Sequence, residues 1–290
     1  MTDWTITRRD FTKKVTGSAI GIGCAAAVKD DVVHAAPAKR TPVALQLYTV
    51  RELTVKDFAG TLGKVAKMGY DAVEFAGYGG IAAEDMKKLL GDLGLVCAGT
   101  HEGYERLDTK LGEVIEYNHT IGNEWLVCPS MPKEWSEKGA EGFKAFAGRL
   151  NVIGGKAREA GMRLCYHNHS FEFKKADGKY LLDILLAAAD PGLVDAEVDV
   201  YWVKHGGEDP VAFMTRHPGR CPLLHMKDMV DDSERSYAPV GTGILDMKGI
   251  VRAARKAGTK WFIVELDSSK LPMLEAIDIS LVNMRKLLKA

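Results

Sequence analysis

The sequence predicts a single (β/α)8 barrel that fills most of the chain, and three observations carry that expectation. A helical segment ending in glycine, followed within a few residues by a short apolar run, recurs in KVAKMGYDAVEF, KLLGDLGLVCAGTH, YNHTIGNEWLVCPS, AREAGMRLCYHNH and ARKAGTKWFIVELD. Eight apolar runs of strand length alternate with helical segments, which suits a closed parallel barrel better than an open sheet. Four of them close on a side chain able to bind a metal or move a proton: LCYHNH, EVDVYW, CPLLHMKD and WFIVELD. The carboxyl ends of parallel strands are where α/β proteins place their chemistry.

The expected strands lie near residues 43–48, 72–77, 95–100, 125–129, 163–168, 197–203, 222–227 and 261–266, with helices between them and one after the last. Gly69, Gly94, Gly122, Gly161 and Gly258 fit the left-handed position that closes a helix. Basic residues precede several of them, as the helix dipole favours. The helix between strands four and five is expected to be long, near 140–160. The one between strands six and seven is short and opens at Asp209-Pro210, a good cap followed by a first-turn proline. Asp246 caps the helix before strand eight. The turn after the first strand, YTVREL, lacks the glycine-rich fingerprint of a dinucleotide-binding sheet. VGTGILD follows a charged loop and reads as a loop, not a phosphate cradle.

The chain has 290 residues, 46% hydrophobic and 27% charged, as ordinary soluble proteins have. One barrel of about 250 residues uses nearly all of it. A formal net charge of +0 argues against a nucleic-acid partner or an anionic-membrane binder. The first residues read differently. TRRDFTKK carries Arg8-Arg9, and the Gly/Ala-rich run Val15 to Val28 after it is too short to span a membrane. This is the pattern of a twin-arginine export signal. Residues 1–36 are therefore expected to be a cleavable or disordered signal segment, with a cleavage site around Val33-His34-Ala35, and 42–290 the barrel. The expected location is periplasmic or otherwise exported; the alternative is a disordered basic tail. A lipoprotein reading at Cys24 meets Gly21 where a branched apolar residue belongs. Cys97, Cys128 and Cys165 lie in apolar strands and Cys221 just before one, without CxxC or CxxH spacing, so buried free thiols are expected.

The candidate site residues come from the strand ends. His167 and His169 share a strand face and Asn168 points the other way. The two imidazoles suit one metal ligand and one proton shuttle, or a structural pair. A carboxylate deep in an apolar strand is costly unless paired or ligating, which makes Asp199 a ligand. Glu197 shares its face one layer lower and suits a structural ion pair. His225 reads as a ligand. Lys227 either holds a substrate oxygen or pairs with Asp228 or another rim acid. Glu265 can bind the metal and move a proton; Asp267 is a weaker candidate. Glu74 and His101 read as contacts either to the substrate or to the ligand residues from behind, and Tyr48, Trp202 and Phe171 as walls over a sugar face. Glu172 is the alternative to a histidine as the strand-five ligand. The expected metal set is His167, Asp199, His225 and Glu265, and the expected catalytic set Glu265, His167, His169 and Lys227. Oxygen-rich ligation with one or two imidazoles fits one divalent ion: Mn²⁺, Mg²⁺, Co²⁺ or Zn²⁺.

The phrases CYHNHSFEF, DVYWVKHGGEDP, LLHMKD, APVGTGILD and FIVELD, in that order, resemble the xylose isomerase-like TIM barrel superfamily, the sugar phosphate isomerase/epimerase group, in its exported twin-arginine branch. The resemblance covers the chain from about residue 42. It implies one metal ligand at the end of each of strands five to eight, in the order Glu, Asp, His, Glu. The last three fall on Asp199, His225 and Glu265; the first falls near His167, where the epimerases have Glu. In the epimerases two glutamates shuttle protons on either side of the substrate carbon, so a histidine here departs from that pattern. Barrels with histidine at this strand include inosose dehydratase-like and 3-keto-glycoside-cleaving enzymes, which eliminate β to a carbonyl. The first expectation is therefore a metal-dependent sugar or polyol isomerase/epimerase that abstracts a proton next to a carbonyl. The second is a β-eliminating lyase or keto-glycoside hydrolase. The expected partner is a small carbohydrate or polyol, with a homo-oligomer allowed. Two rivals stand outside these classes: a zinc endonuclease for abasic DNA, disfavoured by the neutral charge, and a non-catalytic periplasmic sugar-binding barrel.

Overall fold

Eight parallel strands, each followed by helix, close on themselves: β1 Val43–Gln46, β2 Ala72–Phe75, β3 Val96–His101, β4 Trp125–Cys128, β5 Arg163–His167, β6 Val194–Asp199, β7 Leu223–Met226 and β8 Trp261–Val264. Each pairs with its sequence neighbours, and β1 meets β8 through Ala44↔Ile263 to complete a TIM barrel. The structure is a computed structural model and describes residues 40–289. Arg8-Arg9, Cys24 and the expected cleavage site around Val33-His34-Ala35 lie outside the described residues. No described helix is long and apolar enough to cross a membrane.

The helical layer is built from α1 Phe58–Met68, α2 Ala83–Leu93, α3 Leu111–Thr120, α4 Gly139–Glu159, α5 Leu181–Ala188, α6 Val200–His205, α7 Pro210–Arg216, α8 Met247–Ala257 and α9 Met273–Lys289, with shorter turns between them. The glycine expectation holds at each position. Gly69, Gly94, Gly122, Gly161 and Gly258 have φ between 67° and 100°. Asp209 and Asp246 cap α7 and α8 by accepting from Ala212 N–H and Gly249 N–H. Cys97, Cys128, Cys165 and Cys221 are buried free thiols.

One boundary differs from the sequence reading. The sixth strand runs over Val194–Asp199 instead of 197–203, and Val200–His205 is helix. Two forces set that switch. The strand starts early because Val194 and Asp195 pair with Leu164 and Cys165. It stops at Asp199 because the carboxylate accepts from Trp202 N–H at 3.0 Å and caps the helix.

Strand alternation organises the interior. Ala44, Ala72, Ala98, Val127, Cys165 and Leu223 pack into one apolar plug inside the barrel. Two positions on toward the carboxyl ends, Gln46, Glu74, His167 and His225 stack above it, all buried. The functional layer therefore rests on a dry floor, and the larger hydrophobic core fills the space between strands and helices.

Candidate metal centre

His167 ends β5, Asp199 ends β6, His225 is the next-to-last residue of β7, and Glu265 follows β8 by one residue. One donor atom from each comes within 4.8 Å of the others, and all four residues are buried. His225 Nδ1 lies 2.9 Å from Glu265 Oε2 and 3.9 Å from Asp199 Oδ2. Asp199 Oδ2 is buried and has no hydrogen-bond partner. A buried carboxylate oxygen that accepts no hydrogen bond and meets the Lys227 ammonium only at 3.5 Å is under-satisfied, and a hard or borderline cation among two carboxylates and two imidazoles would take it up. The donor set fits a divalent ion.

Lys227 brings a positive charge to these carboxylates. It is 1% exposed, and its Nζ lies 2.8 Å from Asp267, 3.0 Å from Glu265 and 3.5 Å from Asp199. The expected alternative partner, Asp228, is engaged elsewhere. Its carboxylate accepts from the N–H groups of Met229, Gly241, Gly243 and Leu245 and so folds VGTGILD into a tight loop. A Cβ on Gly243 would sit 2.2 Å from Met229 O, so this loop admits only glycine there.

A second layer lies beneath. Glu197 Oε2 is 2.6 Å from His101 Nε2, 3.0 Å from His167 Nδ1 and 3.3 Å from His225 Nε2. Glu74 Oε2 is 2.6 Å from His225 Nε2 and accepts from Gln46 Nε2 at 2.7 Å. A register shift between β2 and β3 and the missing side chain of Gly99 make room for it: a Cβ there would stand 2.8 Å from Glu74 Oε1. Glu74, read from sequence as a contact to the substrate or to the ligand residues from behind, is fully buried and meets the candidate ligand His225.

The cavity above has a volume of about 380 Å³, within the range of small-molecule sites. Its walls include Tyr48, His101, His167, His169, Trp202 and Lys227, and Glu265 and Asp267 also face it. His169 lies beyond the end of β5, so it does not share a strand face with His167 as the alternation suggested; both nevertheless line the cavity. Phe171 stacks behind His169 at 6.2 Å. Glu172 turns away: it accepts from Tyr166 Oη–H at 2.8 Å and His169 N–H at 2.9 Å, and it is absent from the donor cluster. His167 is therefore the β5 member of that cluster.

Burial and charge set the protonation states. Burial opposes ionisation of Glu265, but Lys227 and His225 outweigh it and hold the carboxyl well below the usual range. Burial likewise works against Glu197, and the charges of His225 and His101 overcome it. Burial pushes Asp199 up to about 7 despite Lys227. It pushes Glu74 to about 7 as well, with the charge of Glu197 adding to it. His169 is lowered to about 4, first by burial and then by Lys227, so it is a neutral imidazole near pH 7. Its Nδ1 is buried without a partner.

Comparison with known proteins agrees with this architecture. A family model described as the xylose isomerase-like TIM barrel matches residues 62–287. Inosose dehydratase of Lacticaseibacillus casei is 27% identical over 142 residues, 43% of this chain and 47% of that protein. Inosose dehydratase of Clostridium beijerinckii is 25% identical over 178 residues, 56% of this chain and 58% of that protein. The matched stretches thus span about half the length of these curated relatives. A solved sugar phosphate isomerase/epimerase from Parabacteroides distasonis superposes with a TM-score of 0.74 at 26% identity, covering 91% of this chain and 98% of its own. The chain belongs to the xylose isomerase-like TIM barrel family.

Proposed function

We propose that the chain is a metal-dependent enzyme that removes a proton next to a carbonyl of a sugar or polyol and then expels the β-hydroxyl as water. The observation that carries this reading is the convergence of His167, Asp199, His225 and Glu265 at the carboxyl rim, beside a cavity that also presents His169 and Lys227. A divalent ion held there would supply Lewis acidity to the oxygen beside the acidic carbon. The chain's own groups do the rest. Neutral His169, on the cavity wall, takes the proton on its imidazole as the C–H bond breaks, and the electron pair moves into an enolate. The same imidazole returns the proton to the departing hydroxyl as the C–O bond breaks, so the net loss is one water. Ionised Glu265 and the Lys227 ammonium fix the field around the reacting carbon. Tyr48 and Trp202 offer aromatic faces to the ring.

Isomerisation or epimerisation shares the first step and differs in the second. An epimerase needs proton carriers on both faces of one carbon. Here strand five presents imidazoles where the epimerases of the family carry glutamate. The inosose dehydratase relatives support elimination, while the Parabacteroides neighbour supports isomerisation. The imidazole at β5 puts elimination first.

The test is the ion-loaded protein with an inosose in deuterated water. Elimination produces near-ultraviolet absorbance of a conjugated ketone. Deuterium uptake without absorbance gives the epimerase reading. Neither change across a panel of inososes and ketoses, with the ion bound, leaves the sugar-binding barrel. Export through Arg8-Arg9 is part of the same proposal, and retention of an Arg8→Lys/Arg9→Lys precursor in the cytoplasm is the expected result.

A further inference from the structure

Two groups of donor atoms share His167 and His225: the upper one with Asp199 and Glu265, and a lower one with His101 and Glu197. The lower group has the residue types of a second ion site, and its distances decide against that. Glu197 Oε2 sits at 2.6, 3.0 and 3.3 Å from the nearest nitrogens of His101, His167 and His225. These are, or approach, direct N–H···O contacts, with the carboxylate oxygen in the middle where an ion would have to be.

We propose that Glu197 is the positioning residue of the metal centre, fixing which nitrogen of each ligand imidazole is free. It holds His167 through Nδ1, which leaves Nε2 for the ion. Together with Glu74 it holds His225 through Nε2, so the nitrogen turned to the ion site is Nδ1, which hydrogen-bonds Glu265 Oε2 at 2.9 Å and would exchange that bond for the ion. The two histidines thus present opposite ring nitrogens upward, because Glu197 holds His167 at Nδ1 and Glu74, with Glu197 at 3.3 Å, holds His225 at Nε2. Metal-binding histidines work best when the other N–H is given to a carboxylate, and here Glu197 does this for His167 and shares the role with Glu74 at His225. Its position follows from the fold: Glu197 lies two residues before Asp199 on β6, on the same inward face and one layer down. It faces His101 of β3, His167 of β5 and His225 of β7, while Gln46 of β1 and Glu74 of β2 close the layer.

This inference rests on the reading that the upper group takes the ion, and two measurements separate the two. The first is nitrogen NMR of the imidazoles in the wild-type protein loaded with Zn²⁺. The expected result is protonated Nδ1 on His167 and protonated Nε2 on His225, with one ion per chain. The same tautomer on both rings, or two ions per chain, overturns the proposal while leaving the metal reading intact. No bound ion overturns both. The second is the Zn²⁺ dissociation constant of Glu197→Gln and of Glu74→Gln, read by dye competition beside the thermal midpoint. Glu197→Gln should weaken Zn²⁺ binding about 10–100-fold, because its amide N–H₂ meets imidazole N–H groups. Glu74→Gln, which touches only His225 of the two ligands, should weaken it less. A lowered midpoint with unchanged Zn²⁺ affinity in both variants marks a purely structural carboxylate and overturns the proposal. If Glu197→Gln does not fold, the wild-type tautomers and Glu74→Gln still decide.

Discussion

Asn168 grips the backbone of Asp199 from both sides. Its Oδ1 accepts the Asp199 N–H at 3.0 Å, and its Nδ2 donates to the Asp199 carbonyl at 3.3 Å. The clamp joins the end of β5 to the point where β6 turns into α6. It fixes the one candidate ligand whose backbone changes from strand to helix. Asn168→Ala should take the acceptor from the Asp199 N–H and one donor from its carbonyl, at a cost of about 1–3 kcal/mol. Bound metal should fall with it. Urea unfolding and metal titration check this; a variant as stable as wild type would show the clamp to be idle.

Asp199 has two roles that a single substitution separates. Asparagine caps a helix about as well as aspartate does, so Asp199→Asn keeps the bond to Trp202 N–H. It also removes a buried carboxyl that burial pushes up to about 7. Metal-free stability should stay within about 1 kcal/mol of wild type or rise, while metal content and turnover are lost. Denaturant midpoints in chelator beside elemental analysis make the comparison.

Lys227→Met removes the ammonium from between Glu265, Asp267 and Asp199. Breaking a buried pair by deleting one partner typically costs about 3–5 kcal/mol. An added divalent ion restores positive charge in the same place. The rise in melting temperature on adding metal should therefore be larger in Lys227→Met than in wild type. An equal rise would mean that the ion and Lys227 do not share these carboxylates.

His169 is outside the donor cluster but lines the cavity, and its buried Nδ1 has no hydrogen-bond partner. His169→Phe keeps the aromatic wall beside Trp202, 5.6 Å away, and removes the proton acceptor. Turnover should fall about 10²–10⁴-fold, the usual worth of a general base, with metal affinity unchanged. Loss of metal instead of turnover would make His169 a ligand.

The legible parts of this fold were those written locally. Gly69, Gly94, Gly122, Gly161 and Gly258 each mark a helix end by a backbone demand that only nearby residues set. Asp209 and Asp246 mark helix starts in the same way. The end of β6 was obscured because the apolar run continues past Asp199 through Val200-Tyr201-Trp202-Val203, although Asp199 as a cap was the available signal. His167, Asp199, His225 and Glu265 could be grouped from sequence because each closes an apolar run. The burial of Glu74 and the three-way contact of Glu197 could not, since both depend on strand register across the barrel. The grip of Asn168 on Asp199 was hidden for another reason: its partner is backbone, which carries no residue signature.

Glu172 gives a pH dependence independent of the ion. It is fully buried, and burial pushes its carboxyl from 4.5 to about 7 against the hydrogen bonds from Tyr166 and His169. A carboxyl raised on folding binds its proton more tightly in the folded chain. Below the unfolded value both states are protonated and nothing is lost. As pH rises from 4.5 toward 7, the unfolded chain releases the proton first, and stability falls. Above about 7 the loss is complete. Glutamine carries no titrating proton, and its amide can satisfy both neighbours, with Oε1 accepting from His169 N–H and Nε2 donating to Tyr166 Oη. Glu172→Gln should therefore gain on wild type between pH 5 and pH 8.5, by about 3 kcal/mol at most. The measurement is urea unfolding of both proteins in chelator at the two pH values, compared as a double difference so that titrations common to both cancel. A double difference of zero would place the Glu172 carboxyl in its ordinary range.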